Sequence, residues 1–427
     1  MQQELVDLLI VGLNEAATAT GDAPRFGPEM GRITVIDNAA IAITGGEITA
    51  VGPEAELREQ YRGETELDAR GKLAIPAFVD GHTHPVFHGT REDEFEMRTK
   101  GATYVEISEA GGGILSSVRG VRGASKELLL AGLLRQLDQF LELGTLTVEA
   151  KSGYGLSLED EIKLLEVIVA ANEQHPVELV PTFLGAHDFP LEYRERRGEY
   201  VDLVMNEMLP AIAERRLAEY CDIFTESHVF DLEQSRAIMS RARELGFELR
   251  MHVDQLTPLG GAQLAAELGA ATADHLEFVS DEGIDAMGMH GVQPVLCPLV
   301  PLYLRSEREA PGRRMIDRGL APALATDFNP GSCYAKSMPE VMTWGALRYD
   351  MTAEEALTAA TLNAACSVGR GARLGSLEPG KDADILILDM PGHRHLTYEF
   401  GRNPVSVALK SGVIVFERED HLDEPTS

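Results

Sequence analysis

Five residues of metal-ligating type fall at telling places in the chain. His82 and His84 flank a single threonine at the end of the apolar run AIPAFVDGHTH, His252 closes ELRMHV, His275 closes ATADH and Asp327 closes APALATD. Alternate residues of a strand point to one side, so both imidazoles of the HxH pair can reach one ion. Neutral imidazoles with a carboxylate suit zinc or iron, and leave a position for a water whose pKa falls toward about 7 on the metal. Singly, each histidine reads more readily as a hydrogen-bonded core or surface residue, and an HxH dipeptide alone is a weak signal. It is their conjunction at the ends of four predicted strands that points to a metal site.

Those residues need elements that bring them together. From about residue 74 to 331, short β-branched runs alternate with helical patterns such as LEDEIKLLEVIVAANEQ and LEQSRAIMSRARELG, the signature of βαβ units. The predicted strands are AIPAFVDGH, TLTVEA, VELVPTFLGA, CDIFTES, ELRMHV, ATADHL, GVQPVLCP and APALATD. Eight such units match a (β/α)8 TIM-like barrel, whose chemistry sits at the C-terminal strand ends; a doubly wound open sheet is the alternative. Residues 1–73 read as short strands broken by Gly and Asp turns with no helix between them, and the style returns after about residue 372, where GSLEPGKDADILILD and PVSVALKSGVIVFE read as hairpins. The expected organisation is therefore a barrel over 74–371 and a composite β-sandwich domain made of 1–73 plus 372–427. The final EREDHLDEPTS is charged and expected to fray.

Further polar residues belong to the same mouth by position. Arg91, in HGTREDEF, is either a solvated arginine paired with Glu92 or Glu94, or a guanidinium fork for a substrate carboxylate. Tyr154 in KSGYG and His187 in GAHDF either pack or touch ligand. Gly111 to Gly113 form either a flap or a turn. Glu226 ends strand 4 and reads as a structural carboxylate. GSLEPGKD fits GxxxxGK, but Asp382 stands where a P-loop needs Ser or Thr and a strand follows where it needs a helix, so a turn is the better reading. SGYG lacks the third glycine of a dinucleotide fingerprint. Cys333 lies near the mouth and reads as buried.

Composition removes whole classes of function. Lys and Arg number 38 against 69 Asp and Glu, a formal charge of −31, which repels phosphates and anionic membranes. No nucleic-acid or membrane partner is expected. Four scattered cysteines without a CxxC pair exclude a disulfide scaffold and a zinc ribbon. The N-terminus MQQELVDLLIVGL lacks a basic n-region, and no apolar run approaches the roughly 20 residues of a membrane span. A cytoplasmic location is the expectation.

The HxH, His, His and Asp at strands 1, 5, 6 and 8 resemble the amidohydrolase superfamily. VDGHTHPVFHGTREDEFEMR, YVEISEAGGGILSSVR, EAKSGYGL, TFLGAHDFP, HVDQL, DHLE and TDFNPGS resemble, in order and across nearly the whole chain, its imidazolonepropionase family. That resemblance implies hydrolysis of the cyclic amide of 4-imidazolone-5-propanoate to N-formimidoyl-L-glutamate in histidine degradation. It implies one Zn2+ or Fe3+ per subunit on His82, His84, His252 and Asp327, and a homodimer acting on a small molecule. It places the propionate near Arg91 and Tyr154, the ring near His187, and polar groups against Asn329, Gly331 and Ser332. His275 would polarise the carbonyl or stabilise the oxyanion, and Asp327 would relay a proton to the departing nitrogen. Gln255 stands where related deaminases carry Glu; an amide cannot take a proton but can orient a ring, which leaves the base role to Asp327 and His275.

Overall fold

The computed structural model describes residues 3–102 and 112–418, so Gly111 and residues 419–427 lie outside the described residues. Eight parallel strands form one sheet in sequential order: Phe78–Thr83, Thr145–Lys151, Glu178–Ala186, Tyr220–Thr225, Glu248–Val253, Thr272–His275, Gln293–Leu296 and Ala323–Leu324. Each falls within or beside the run that predicts it, and helices return the chain between them. Ser157 caps Leu158–Asn172 by accepting from Asp160 N, and Asp231 forms a capping box with Gln234 on Leu232–Glu244. The sheet curls until its edges meet. Thr83 bridges Phe328, His84 N donates to Phe328 O at 2.8 Å, and Asp327 N donates to His82 O at 3.1 Å. Buried Asp80 rivets this seam, accepting from Thr326 N at 3.1 Å and Thr326 Oγ1 at 2.5 Å. The open-sheet alternative is thereby excluded.

The two chain ends build a second, mixed sheet, in the order Val413–Glu417, Val405–Lys410, Ile385–Leu388, Leu73–Pro76, Glu4–Thr18, Thr34–Thr44, Glu47–Pro53. Tyr61–Asp68 pairs in parallel with the first half of Glu4–Thr18, whose second half pairs with Leu73–Pro76. Ile10, Ile41, Ile385, Ile387 and Leu409 fill one apolar cluster of this sheet, and Val6, Leu9, Ala40 and Leu57 another.

Three sequence expectations need correction. Residues 1–73 do contain a helix, Glu54–Gln60, which follows Pro53, carries Glu54 and Glu56 in its first turn, and buries Leu57. Glu54 Oε2 accepts from Gly12 N at 2.8 Å, tying the helix to the irregularity in the long strand, where Gly12 has φ +75°. The run AIPAFVDGH is not one strand: Leu73–Pro76 belongs to the terminal sheet and Phe78–Thr83 to the barrel, with Ala77 between them. GSLEPGKDADILILD gives a turn and the single strand Ile385–Leu388 rather than a hairpin, because that strand pairs with Leu73–Pro76 and Val405–Lys410. Val405–Lys410 and Val413–Glu417 do form one, joined through Ser411 and Gly412, both at positive φ. Among the described residues no helix is long and apolar enough to cross a membrane.

Candidate active site

The C-terminal strand ends open into a cavity of about 470 Å³ lined by His84, Arg91, Tyr154, His187, His252, Gln255, His275, Asp327, Asn329, Gly331 and Ser332. His82 lies directly beneath it, fully buried, its ring centroid 4.4 Å from that of His252 and 5.0 Å from that of His275. The residues read from the sequence as metal ligands, catalytic groups and substrate contacts therefore all lie in this cavity or in its floor.

The floor has the chemistry of a metal cradle. His84 Nε2 and His252 Nε2 face each other at 3.4 Å, and Asp327 Oδ1 lies 3.4 Å from His84 Nε2 and 3.6 Å from His82 Nε2. Ligand atoms of His82, His84 and His252 lie within 4.8 Å of one another, as do those of His82, His275 and Asp327. His82 Nε2 and Asp327 Oδ1 are buried with no hydrogen-bond partner, so lone pairs converge here without a proton between them. This donor set fits a divalent metal ion. Burial holds the histidines neutral: His252 is lowered to about 3, and His82 and His84 well below the usual range. Burial lowers His187 to about 3 as well; its Nδ1 donates to Gly153 O at 3.0 Å, and its ring stacks on His84.

Carboxylates beneath the floor set the tautomers. His82 Nδ1 is 2.6 Å from Asp274 Oδ2 and His252 Nδ1 is 2.9 Å from Asp222 Oδ2, which turns both Nε2 lone pairs toward the cradle. Lys151 holds Asp222 at 2.8 Å and Glu149 at 2.9 Å, and Arg250 holds Asp274 at 3.2 Å while donating to Gly81 O and Ser367 O. All five of these charged residues are fully buried. The sequence reading missed this network, although charges inside apolar strands, in E-A-K and R-M-H, were the signal for it. Lys151 serves there as a buried cation.

Two active-site residues are held in unusual backbone conformations. His275 has φ +79° and Asp327 φ +51°, the left-handed region that side chains other than glycine seldom adopt. Burial opposes charge on His275, but Glu277, Asp327 and Asp274 more than offset it, and its pKa is raised. Burial likewise raises Asp327. Asp327 Oδ2 lies 3.4 Å from Ser332 Oγ.

Arg91 is paired with Glu94 and also faces the cavity. Its Nε and Nη2 donate to Glu94 Oε2 at 3.0 and 2.7 Å, yet its guanidinium still lines the cavity, lying across the face of Gly331. Asn329 is spent on its own loop: Oδ1 accepts from Gly331 N and Ser332 N, and Nδ2 donates to Asp327 O and Ser332 Oγ. Tyr154 is buried, its ring 5.4 Å from His187. Both Glu226 oxygens are occupied, by Leu256 N, Thr257 N and Thr257 Oγ1, fastening the loop that carries Gln255. Gly113, the described end of the glycine run, has φ +77°, lines the cavity and precedes helix Ile114–Gly123. Cys333 is buried.

Comparison with known proteins gives concordant results. Residues 204–415 match the model of the amidohydrolase family, and residues 39–63 match that of the imidazolonepropionase-like composite domain of bacteria. The chain is 49% identical to the imidazolonepropionase of Solibacter usitatus over 96% of its own length and 99% of the relative's. It is 49% identical to that of Symbiobacterium thermophilum over 96% and 98%. A zinc-bound adenosine deaminase from Xanthomonas campestris superposes with a TM-score of 0.71 at 20% identity, covering 99% of this chain and 95% of that one, which speaks for the fold alone.

Proposed function

The chain belongs to the imidazolonepropionase family of amidohydrolases, and from that premise we propose that it hydrolyses 4-imidazolone-5-propanoate to N-formimidoyl-L-glutamate, a step of histidine degradation, in this cavity. One observation carries the reading: a cradle of histidines and an aspartate shares a single cavity with an arginine and a buried tyrosine. A cyclic amide is a poor electrophile, so its opening needs an activated water, a stabilised oxyanion and a proton for the leaving nitrogen.

His82, His84, His252 and Asp327 would hold one zinc or iron ion, which when bound polarises the carbonyl and acidifies water. In our reading Asp327 divides its oxygens: Oδ1 faces the cradle, and Oδ2, on the Ser332 side, takes the proton of the attacking water and gives it to the departing ring nitrogen. His275 donates to the oxygen that gains charge as the tetrahedral adduct forms. Gln255 orients the ring, His187 contacts it, Arg91 and Tyr154 receive the propionate, and the Asn329–Ser332 loop offers Gly331 and Ser332 to polar groups of substrate or product. Gln255→Glu should leave turnover slower or unchanged; a large gain would transfer the base role to that position.

A cytoplasmic homodimer completes the proposal. Supporting the dimer, Leu347, Tyr398 and Phe400 are exposed, and Trp344, one turn from Leu347 on helix Met338–Tyr349, touches Phe400. Sedimentation velocity tests that part. The activity is tested by the ultraviolet absorbance decay of 4-imidazolone-5-propanoate, before and after chelation and re-addition of zinc or iron. Decay above the spontaneous rate, lost on chelation and restored by metal, is the expected result. No acceleration by metal-loaded protein would discard the substrate and leave the fold assignment intact.

A further inference from the structure

Arg98 lines the cavity, has no task in the reaction above and, among the described residues, has no carboxylate in an ion pair with it. It lies on helix Glu92–Thr99, about two turns from Arg91, and lines the same wall as Arg91, Glu94 and Gly331. Arg91 is matched by Glu94 at 2.7 Å. Arg98 reaches only carbonyl oxygens: Nη1 is 3.3 Å from Tyr303 O, and Nη1 and Nη2 are each 3.4 Å from Gly331 O. Among the described residues no carboxylate lies within salt-bridge distance of it. A guanidinium has five donors, and long contacts to neutral acceptors leave most of its charge unanswered. Two arginines and one glutamate give this wall a net positive charge, in a chain whose formal charge is −31.

We propose that Arg98 is a specificity-determining residue: it supplies a positive charge, with no ion-pair partner among the described residues, that selects a substrate bearing a carboxylate, while Arg91, paired with Glu94, supplies directional hydrogen bonds. This rests on the reading that the propionate docks at the Arg91 wall. It divides one subsite into a residue that aims and a residue that attracts. The division makes a prediction that a packing role would not. Removing the charge of Arg98 and removing the charge of Glu94 should move acid binding in opposite directions.

The test is steady-state kinetics of the metal-loaded enzyme on 4-imidazolone-5-propanoate and on its methyl ester, the neutral counterpart, at several ionic strengths. Arg98→Gln, which removes the charge and keeps a polar side chain, should raise KM for the acid about tenfold or more with little change in kcat. It should leave KM for the ester in place and flatten the salt dependence of kcat/KM for the acid. Arg98→Lys should restore most of the acid preference, and Glu94→Gln should lower KM for the acid. Equal shifts for acid and ester, or none, would overturn the proposal. Arg91→Ala separates the two levels: if it too leaves the acid preference intact, docking at this wall is wrong. If it lowers that preference while Arg98→Gln does not, only the role given to Arg98 falls.

Discussion

Gly331 shows how tightly the site is specified at the scale of a single residue. A Cβ placed there would lie 2.0 Å from Arg91 Nη1 and 2.5 Å from its Cζ, and Arg91 cannot swing aside freely because Glu94 holds its Nε and Nη2. Gly331→Ala should therefore displace the guanidinium and raise KM about tenfold with a smaller effect on kcat, since a misplaced clamp costs binding before chemistry. Kinetics on the purified variant would check this, and an unchanged KM would show that Arg91 does not contact substrate. At this scale the sequence was informative about residue types: His82, His84, His252, His275 and Asp327 all meet. It was silent on partners. Nothing in HGTREDEF distinguishes an arginine gripped by Glu94 from one facing a cavity, and Arg91 does both. Nor could spacing reveal that Asn329 turns its amide onto its own loop.

Two seams illustrate the logic of the elements. The first and last barrel strands pair only briefly, so closure leans on Asp80 and Thr326. Burial raises the Asp80 pKa to about 7, which makes its hydrogen bonds the more important. Thr326→Val keeps the shape and removes the hydroxyl donor; it should cost about 1–3 kcal/mol, read as a lower denaturation midpoint. The loop after the last strand carries a second test. Lys336 is buried, with its ammonium 4.1 Å from the Phe328 ring centroid and 4.7 Å from that of Tyr334. Desolvation lowers its pKa to about 8. Between about 8 and the ordinary lysine value near 10.4, the unfolded chain binds more protons than the folded one. This residue's contribution to stability therefore rises with pH through that window and is at its least below it. Melting temperatures of wild type minus Lys336→Met should climb from pH 8 to 10; a flat difference would show that the ammonium is not desolvated. Strand–helix alternation made all eight barrel strands legible, but periodicity could not show AIPAFVDGH dividing at Ala77, because both halves are equally apolar and extended. The helix Glu54–Gln60 was missed because seven residues are too few to display a period; Pro53 and its acidic first turn were the available signals.

On the scale of the whole molecule, charge and connectivity matter most. A formal charge of −31 makes the folded chain repel itself, and salt shortens the reach of that repulsion from about 30 Å at 0.01 M to about 3 Å at 1 M. The melting temperature should rise with sodium chloride over that range, even though individual surface ion pairs weaken. Constancy or a fall would show that those pairs outweigh the net repulsion. The composite sheet was foreseen from two stretches of similar style at opposite ends of the chain, whereas which strand pairs with which was not, since long-range register leaves no mark on local pattern. That pairing has an implication for how the protein is made. Leu73–Pro76 leads through one alanine into the first barrel strand, yet its neighbour Ile385–Leu388 is synthesised almost at the end. During translation Leu73–Pro76, paired on its other side with Glu4–Thr18, must wait with an open, apolar edge until nearly the whole barrel has left the ribosome. The nascent chain is thus exposed to aggregation along that edge, and a message truncated before residue 385 would yield a barrel fastened to a sheet without its last three strands.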